Sequence, residues 1–390
     1  MQIDFHYYAT YCAALLAGYS HEDSLTIAYA DQFTDECSRT LLRKLNAPRS
    51  AATTQIQTEL MNVPTDLIGI QDITRIWASF HFLPHNLSAQ LPGRHPRRYM
   101  NKYRLICGPN GPLVEETVSL AKGHGLAAAG LAMHILADTW AHANFAGTPA
   151  NVINNTDSHF YEILEENGYR TERKIVFRHN PAAADDLSSG IYTNSVHQEN
   201  ENSIMNLGHG RAGHLPDYGF VRYKYLPAWG DYRELVKDNP SDYFHAFCQM
   251  VTALKFLRGE IDAFQRDTYD ELSIAPYADE IRRIICRRQT DSSADWKAFG
   301  EKLSGRNVDT YDICRYQQEY LSAAPEEKDG TFLGQFFLAA MAQKSMVTRR
   351  IFETGNLLAG ISVDYIPGKL RGNRDFQRLI RLIQKEGKNE

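Results

Sequence analysis

Apolar side chains recur at Phe5, Tyr8, Cys12, Leu15 and Leu16, a spacing that predicts an opening helix over residues 5–18. In Ser20-His21-Glu22-Asp23 an acid follows a hydroxyl by three residues, which predicts a capped second helix running to about Leu45. Between Ser50 and Gln71 the pattern is irregular, and the alternation in TTQIQTEL predicts one short strand or extended segment. Residues 72–82 predict a short helix that stops before Pro84. One helix is expected after Pro112 and an Ala-rich one after Gly123 or Gly125, the latter ended by Gly147-Thr148-Pro149. Residues 150–190 form a polar insertion with one short helix expected around Tyr161, the composition of a loop or lid over a site. Another helix is expected over 191–210. Helical periodicity then returns at 241–258, 277–288, 292–303, 311–322 and 331–353. The last stretch, DFQRLIRLIQKE, sets Phe376, Leu379, Ile380 and Ile383 on one face and basic residues on another, the pattern of a solvated amphipathic helix. The expected fold is therefore all-α: a multi-helical bundle with a large polar insertion and extra C-terminal helices. Residues 1–230 would hold the core, with 231–390 packed on it; a single domain is the alternative.

Composition narrows this picture only at its edges. Of 390 residues 43% are hydrophobic and 23% charged, an ordinary globular balance. The net charge of −5 gives no basic field that would argue for nucleic-acid binding. The cysteines at 12, 37, 107, 248, 286 and 314 form no CxxC pair, and their contexts read as free thiols in a reducing compartment. The first 18 residues carry no Lys or Arg and are broken by tyrosines, unlike a signal peptide, and no run of 18 apolar residues predicts a membrane span. The expected location is the cytoplasm, or the outside by a route that needs no classical signal peptide.

The chemistry concentrates on one stripe. His134, Asp138 and His142 sit at i, i+4 and i+8, and on a helix that spacing drifts only about 40° per step. Alanines at 127, 128, 129, 132, 137, 141 and 143 let neighbouring helices approach this stripe closely. Imidazole, carboxylate and imidazole on such a wall read as metal ligands. A pair of core histidines beside a hydrogen-bonded Asp is the plainer alternative. His6 lies in the first helix; Asp31 and Asp35 stand one turn apart in the second, and either qualifies as a ligand. His81 sits between Phe80 and Phe82, where a buried imidazole needs a partner. His209 and His214, with Asp217, crowd a Gly-rich turn, GHGRAGHLPDYG. His85 and His95 read as surface residues. A donor set of His and Asp without Cys suits Zn²⁺ in a catalytic site. The donors exceed what one tetrahedral ion needs, so two or three ions sharing a carboxylate are expected, the apparatus of phosphoester hydrolysis.

The order of these residues resembles the zinc-dependent phospholipase C and single-strand-specific nuclease superfamily, an all-helical fold with three zinc ions. That resemblance implies an N-terminal amino group and an early His (His6), then an Asp (Asp31 or Asp35) and a His followed by an aromatic (His81-Phe82). It continues with His134 and Asp138, the latter bridging ions, and with His142. The final His and acid would be His197 with Glu201, or His209 and His214 in their place. The family's terminus is a Trp exposed by signal cleavage, whereas this chain starts with Met, so the expectation stays at two or three ions. The resemblance covers roughly residues 1–220. An uncharacterised bacterial group sharing FHYY, FHFLP, an ADTWAH-like helix and a GHGRAGH-like turn is closer still and implies no activity.

Two functions are thus expected from different classes. One is a metal-dependent hydrolase of phosphoesters, phospholipase C-like or nuclease-like, with the lipid or nucleotide type of substrate open. The other is a non-catalytic helical toxin or binding protein whose cluster holds one structural ion or none.

Overall fold

The computed structural model describes residues 1–62, 67–166, 168–179, 184–195 and 207–360. The N-terminal helices are α1 (Thr10–Leu16), which continues a π-wound turn Asp4–Ala9, then α2 (His21–Glu36) and α3 (Arg39–Lys44). Next come α4 (Gln57–Asn62), α5 (Leu67–Phe80), α6 (Arg97–Tyr103), α7 (Pro112–Ala121), α8 (Gly125–Ala141) and α9 (Asn151–Asn154). After a β-rich stretch that includes α10 (His209–Ala212), the chain returns to α11 (Asn239–Arg258), α12 (Glu271–Ile274) and α13 (Ala278–Cys286). It then forms α14 (Ser293–Ser304), α15 (Gln317–Ser322) and α16 (Phe332–Glu353). Among the described residues no helix is long and apolar enough to cross a membrane.

Helix α8 is the axis of the bundle. From Ala127 to Ala141 every residue is buried, and α2, α5, α7, α11 and α16 all pack on it. Small side chains make that crowding sterically possible. Gly130 is the tightest point: a Cβ there would overlap the Ile27 carbonyl and stand 2.5 Å from Ala30 Cβ and 2.9 Å from the Asp31 nitrogen of α2. The C-terminal end of α8 is closed by Lys237, whose buried ammonium donates to the Trp140 carbonyl at 2.9 Å and pairs with Asp242 at 2.5 Å. A cation at a helix C-terminus opposes the negative end of the helix dipole.

The fold is mixed α/β, not all-α. Strands β1 (Tyr161–Glu166), β2 (Tyr169–Lys174), β5 (Arg222–Tyr225) and β6 (Leu235–Asp238) form an antiparallel sheet in the order β2-β1-β5-β6. Strands β3 (Val176–Arg178) and β4 (Ile191–Thr193) form a separate parallel pair. The helix expected around Tyr161 is therefore a strand, and the polar insertion is a hairpin wing. Its strands read as polar because opposed charges, not an apolar face, join them. Glu162 lies across from Arg173 with their side chains 2.6 Å apart, and Glu165 lies across from Arg170. Cross-strand pairs of opposite charge stabilise a hairpin without an apolar alternation to betray it. A second, smaller core of Phe145, Phe160, Tyr192, Tyr218, Tyr223 and Tyr225 lies under the sheet.

Other boundaries differ more locally. The second predicted helix breaks at Cys37, where Ser38 caps α3 by accepting from the Leu41 nitrogen at 3.1 Å. Thr54 makes an isolated bridge with Ser38, and the rest of TTQIQTEL turns into α4. The helix expected over 191–210 is replaced by β4 and the four-residue α10, with 196–206 outside the described residues. The 311–322 helix shrinks to α15. The amphipathic stretch 375–386 lies outside the described residues.

Candidate metal centre

Helices α2, α5 and α8, the opening turn and the loop after α10 each send one or two polar side chains to a single buried place. The opening turn brings His6; α2 brings Asp31 and Asp35; the end of α5 brings His81. Helix α8 brings His134 and Asp138, with His142 at its C-cap. His209 of α10 and Asp217 just beyond it close the far side. The Met1 amino group, fully buried, sits among them: 2.9 Å from Asp138 Oδ1, 3.3 Å from Asp217 Oδ1 and 3.4 Å from His142 Nε2.

The histidines share one arrangement. His81 Nε2 donates to the Thr53 carbonyl at 3.0 Å, and His142 Nδ1 donates to the His81 carbonyl at 2.8 Å. A carbonyl only accepts, so in each ring the nitrogen facing it carries the hydrogen. His6 Nδ1 and His134 Nδ1 face Asp31 Oδ1 at 2.7 and 3.2 Å. The remaining nitrogens all turn inward. His81 Nδ1 and His134 Nε2 each stand 3.2 Å from Asp138 Oδ2, and 3.7 Å from Asp35 Oδ1. His6 Nε2 is 3.3 Å from Asp138 Oδ1, buried and without a hydrogen-bond partner. His142 Nε2 and His209 Nε2 lie 3.4 and 3.2 Å from Asp217 Oδ1.

Inward nitrogens with lone pairs thus confront carboxylates that also offer only lone pairs. Acceptors do not attract acceptors; such a constellation holds together when cations, metal ions or protons, stand between its members. Three donor groups have the compactness of an ion site: Asp35, His81 and His134; His142, His209 and Asp217; and His6, Asp31 and His134, each with ligand atoms within 4.8 Å of one another. Asp138 faces both the first group and, through Oδ1, the Met1 amine and His6. Fixing the tautomer of a ligating imidazole through its other nitrogen is the usual outer support of a metal site. The donor set of imidazole and carboxylate without thiolate fits Zn²⁺ or a similar divalent ion.

The structure thus gathers His6, Asp35, His81, His134, Asp138, His142 and His209, and sets Asp31 behind two of the rings. His214 stands apart: its Nδ1 is 3.0 Å from Asp185 Oδ2, which also accepts from Tyr218 Oη at 2.6 Å. Gly213, at φ +58°, turns the chain there, so two histidines close in sequence face different neighbours. His197 and Glu201 lie outside the described residues. Asp217 and the Met1 amine complete the cluster. Among the described residues, the His85 and His95 rings hydrogen-bond the backbone carbonyls of Pro109 and Pro92.

A cleft of about 360 Å³ opens onto the cluster, with Asp35, His81, His142 and His209 on its floor and Trp77 and Phe82 on its walls. Asp35, with its side chain 32% exposed, is the most accessible carboxylate of the group. The Phe82 ring lies 5.0 Å from that of His142 and holds it against the floor.

The model for a family of unknown function, DUF6765, matches residues 1–351. The chain belongs to the DUF6765 family. That match reaches Ile351 in α16 and so spans every member of the cluster. No curated protein and no solved structure matches the chain.

Without ions, this DUF6765 member holds its cluster together with protons. Burial lowers the basicity of the Met1 amine, but Asp138, Asp217 and Asp35 override it and raise its pKa from 8.0 to about 11. Burial likewise opposes a charge on His134, yet Asp138 and Asp35 raise it from 6.5 to about 10. Burial wins at His142, whose pKa falls to about 4 despite Asp138. Burial would raise Asp138, but His142, the amine and His134 hold it well below the usual carboxylate range. A group with a raised folded pKa stabilises the fold fully below its unfolded value and ceases to do so above its folded one. The metal-free protein should therefore lose stability between pH 6.5 and about 10 through His134, and between 8.0 and about 11 through the amine. Metal ions bound here would displace these protons, so their binding would tighten as pH rises. Melting of chelator-treated protein is expected to fall from about pH 7 to about pH 9.5, while zinc-loaded protein resists the decline. Parallel melting curves for the two forms would contradict this.

Proposed function

We propose that this chain is a metal-dependent hydrolase of phosphoester bonds, with zinc as its metal and two or three ions in its cluster. The observation that carries the reading is the inward turn of four imidazoles (His6, His81, His134 and His142), each anchored from behind through its other nitrogen, onto shared carboxylates. Asp35, His81 and His134 would hold one ion and His142, His209 and Asp217 another, with Asp138 between the first group and the Met1 amine. The order of these donors along the chain is also the one implied by the resemblance to phospholipase C and the single-strand-specific nucleases. Bound divalent ions in such a group supply a Lewis acid that neutralises charge on phosphoryl oxygens and acidifies water.

The protein's own part is to place and shield. Asp35 and His209 meet the solvent side of the cleft, so a phosphoryl group entering there reaches the floor beside them. Trp77 and Phe82 narrow the approach with apolar walls and keep bulk water from the imidazoles. The Thr53 and His81 carbonyls hold their rings in one tautomer as a substrate binds and leaves.

The assay that tests this is hydrolysis of bis(p-nitrophenyl) phosphate and p-nitrophenyl phosphorylcholine. Turnover by purified protein should vanish on chelation and return with zinc. Zinc-replete protein inert to both esters and to a panel of nucleotides and phospholipids would overturn the hydrolase reading.

A second reading has an observation of its own. The Met1 amine pairs with Asp138 and Asp217, so protons alone can balance part of the cluster, as in a non-catalytic binding protein. Protein that binds one ion or none and hydrolyses nothing would favour it.

A further inference from the structure

We propose that Asp31 is a positioning residue that ties two ion positions together, so that both are strong or both are weak. This rests on the reading of the cluster as a metal centre. Asp31 lies on α2, fully buried, and both of its oxygens are engaged. Oδ1 accepts from His6 Nδ1 at 2.7 Å and from His134 Nδ1 at 3.2 Å, while Oδ2 accepts from Thr10 Oγ1 at 2.5 Å. Asp31 also falls within ligand distance of His6 and His134 as a group. Its contacts are nonetheless those of hydrogen bonds, Oδ1 accepting from two rings and Oδ2 from a hydroxyl.

The two rings it holds are stacked, with centroids 4.0 Å apart and planes 24° apart. Their free nitrogens emerge on the opposite side and face different oxygens of Asp138. His6 Nε2 meets Oδ1 at 3.3 Å and His134 Nε2 meets Oδ2 at 3.2 Å. One carboxylate behind the rings therefore serves the same two positions that one carboxylate in front shares. A carboxylate accepting from Nδ1–H fixes the tautomer and raises the basicity of Nε2. Because Oδ1 of Asp31 does this for both rings, neither ring can lose its support alone. The group of His142, His209 and Asp217 has no contact with Asp31 and should not respond.

Equilibrium titration with Co²⁺, followed by its visible absorption, and competition by Zn²⁺ test the coupling without any assay of activity. In Asp31→Ala, affinity at the positions faced by His6 and His134 should drop together, by about 10- to 100-fold. The equivalent bound by His142, His209 and Asp217 should keep its wild-type affinity. Asp31→Asn preserves an acceptor for both rings and should recover most of the loss and the wild-type cobalt spectrum. Should Asp31→Ala not fold, Thr10→Val removes only the support of Oδ2 and should weaken the same two positions by a smaller, common factor. Loss confined to one position, or no loss in the variants, overturns the proposal while leaving the metal centre intact. Wild-type protein that takes up neither Co²⁺ nor Zn²⁺ overturns the metal reading itself, and the coupling with it.

Discussion

Asp138→Asn should cost the protein at least one ion and nearly all phosphoester hydrolysis, more than about 100-fold, while its helices remain folded in the presence of zinc. Asn keeps the shape of Asp138 and removes its charge. Two divalent ions about 4 Å apart repel on the order of 15 kcal/mol at an effective dielectric of ~20, and an intervening carboxylate is the nearest compensation. In this protein the two oxygens of Asp138 look in different directions, Oδ1 to Met1 and His6, Oδ2 to His81 and His134. Chelated Asp138→Asn should be destabilised as well, by about 3–5 kcal/mol, because the Met1 ammonium loses its closest buried partner. Asp35→Asn, with a half-exposed carboxylate on one ion group only, should cost less. Ion counts and melting of the two variants decide the matter. If Asp138→Asn melts lower yet carries the full complement of ions, Asp138 is a core ion-pair residue and not a bridge.

Gly130→Ala should have the next largest effect, although it lies a full turn from the nearest donor. An added methyl in a helix normally stabilises it by about 1 kcal/mol relative to Gly. Here the methyl meets the Ile27 carbonyl, Ala30 and the Asp31 backbone, so α2 and α8 must separate. Overpacking of this kind costs about 1–3 kcal/mol. Helix α2 carries Asp31 and Asp35, and α8 carries His134 and Asp138, so the separation opens the donor set along with the core. We expect Gly130→Ala to melt several degrees lower and to bind zinc more weakly even where it is fully folded. Wild-type zinc affinity in the folded variant would show that the helix contact and the site are independent.

What could be read from the chain and what could not follow the range of the physics involved. The stripe His134, Asp138 and His142 was legible because helix periodicity alone puts the three on one side, and α8 keeps that periodicity through Ala141. Asp31 and Asp35 could not be separated by spacing, since both project from α2 toward the same region. The distinction is made by His6 and His134, which arrive from other elements and take up Asp31 from behind. His209 and His214 looked equivalent until the positive φ of Gly208 and Gly213 sent them to Asp217 and Asp185. The sheet was hidden for a different reason. Strand β2 is largely solvent-facing and is joined to β1 through Glu162 and Arg173, so it lacks the apolar alternation by which strands are recognised. Thr53, Thr10 and the His81 carbonyl gave no signal, because backbone acceptors and hydroxyls acquire their roles only in the fold.

The central claim is that the buried His and Asp residues are ligands, and elemental analysis of wild-type protein purified without chelator tests it most directly. The account predicts two or three divalent ions per chain, zinc foremost, which leave on dialysis against a strong chelator and return in the same number when zinc is restored. Protein that is folded, carries no metal, and takes up none from excess zinc at about pH 8 would contradict it.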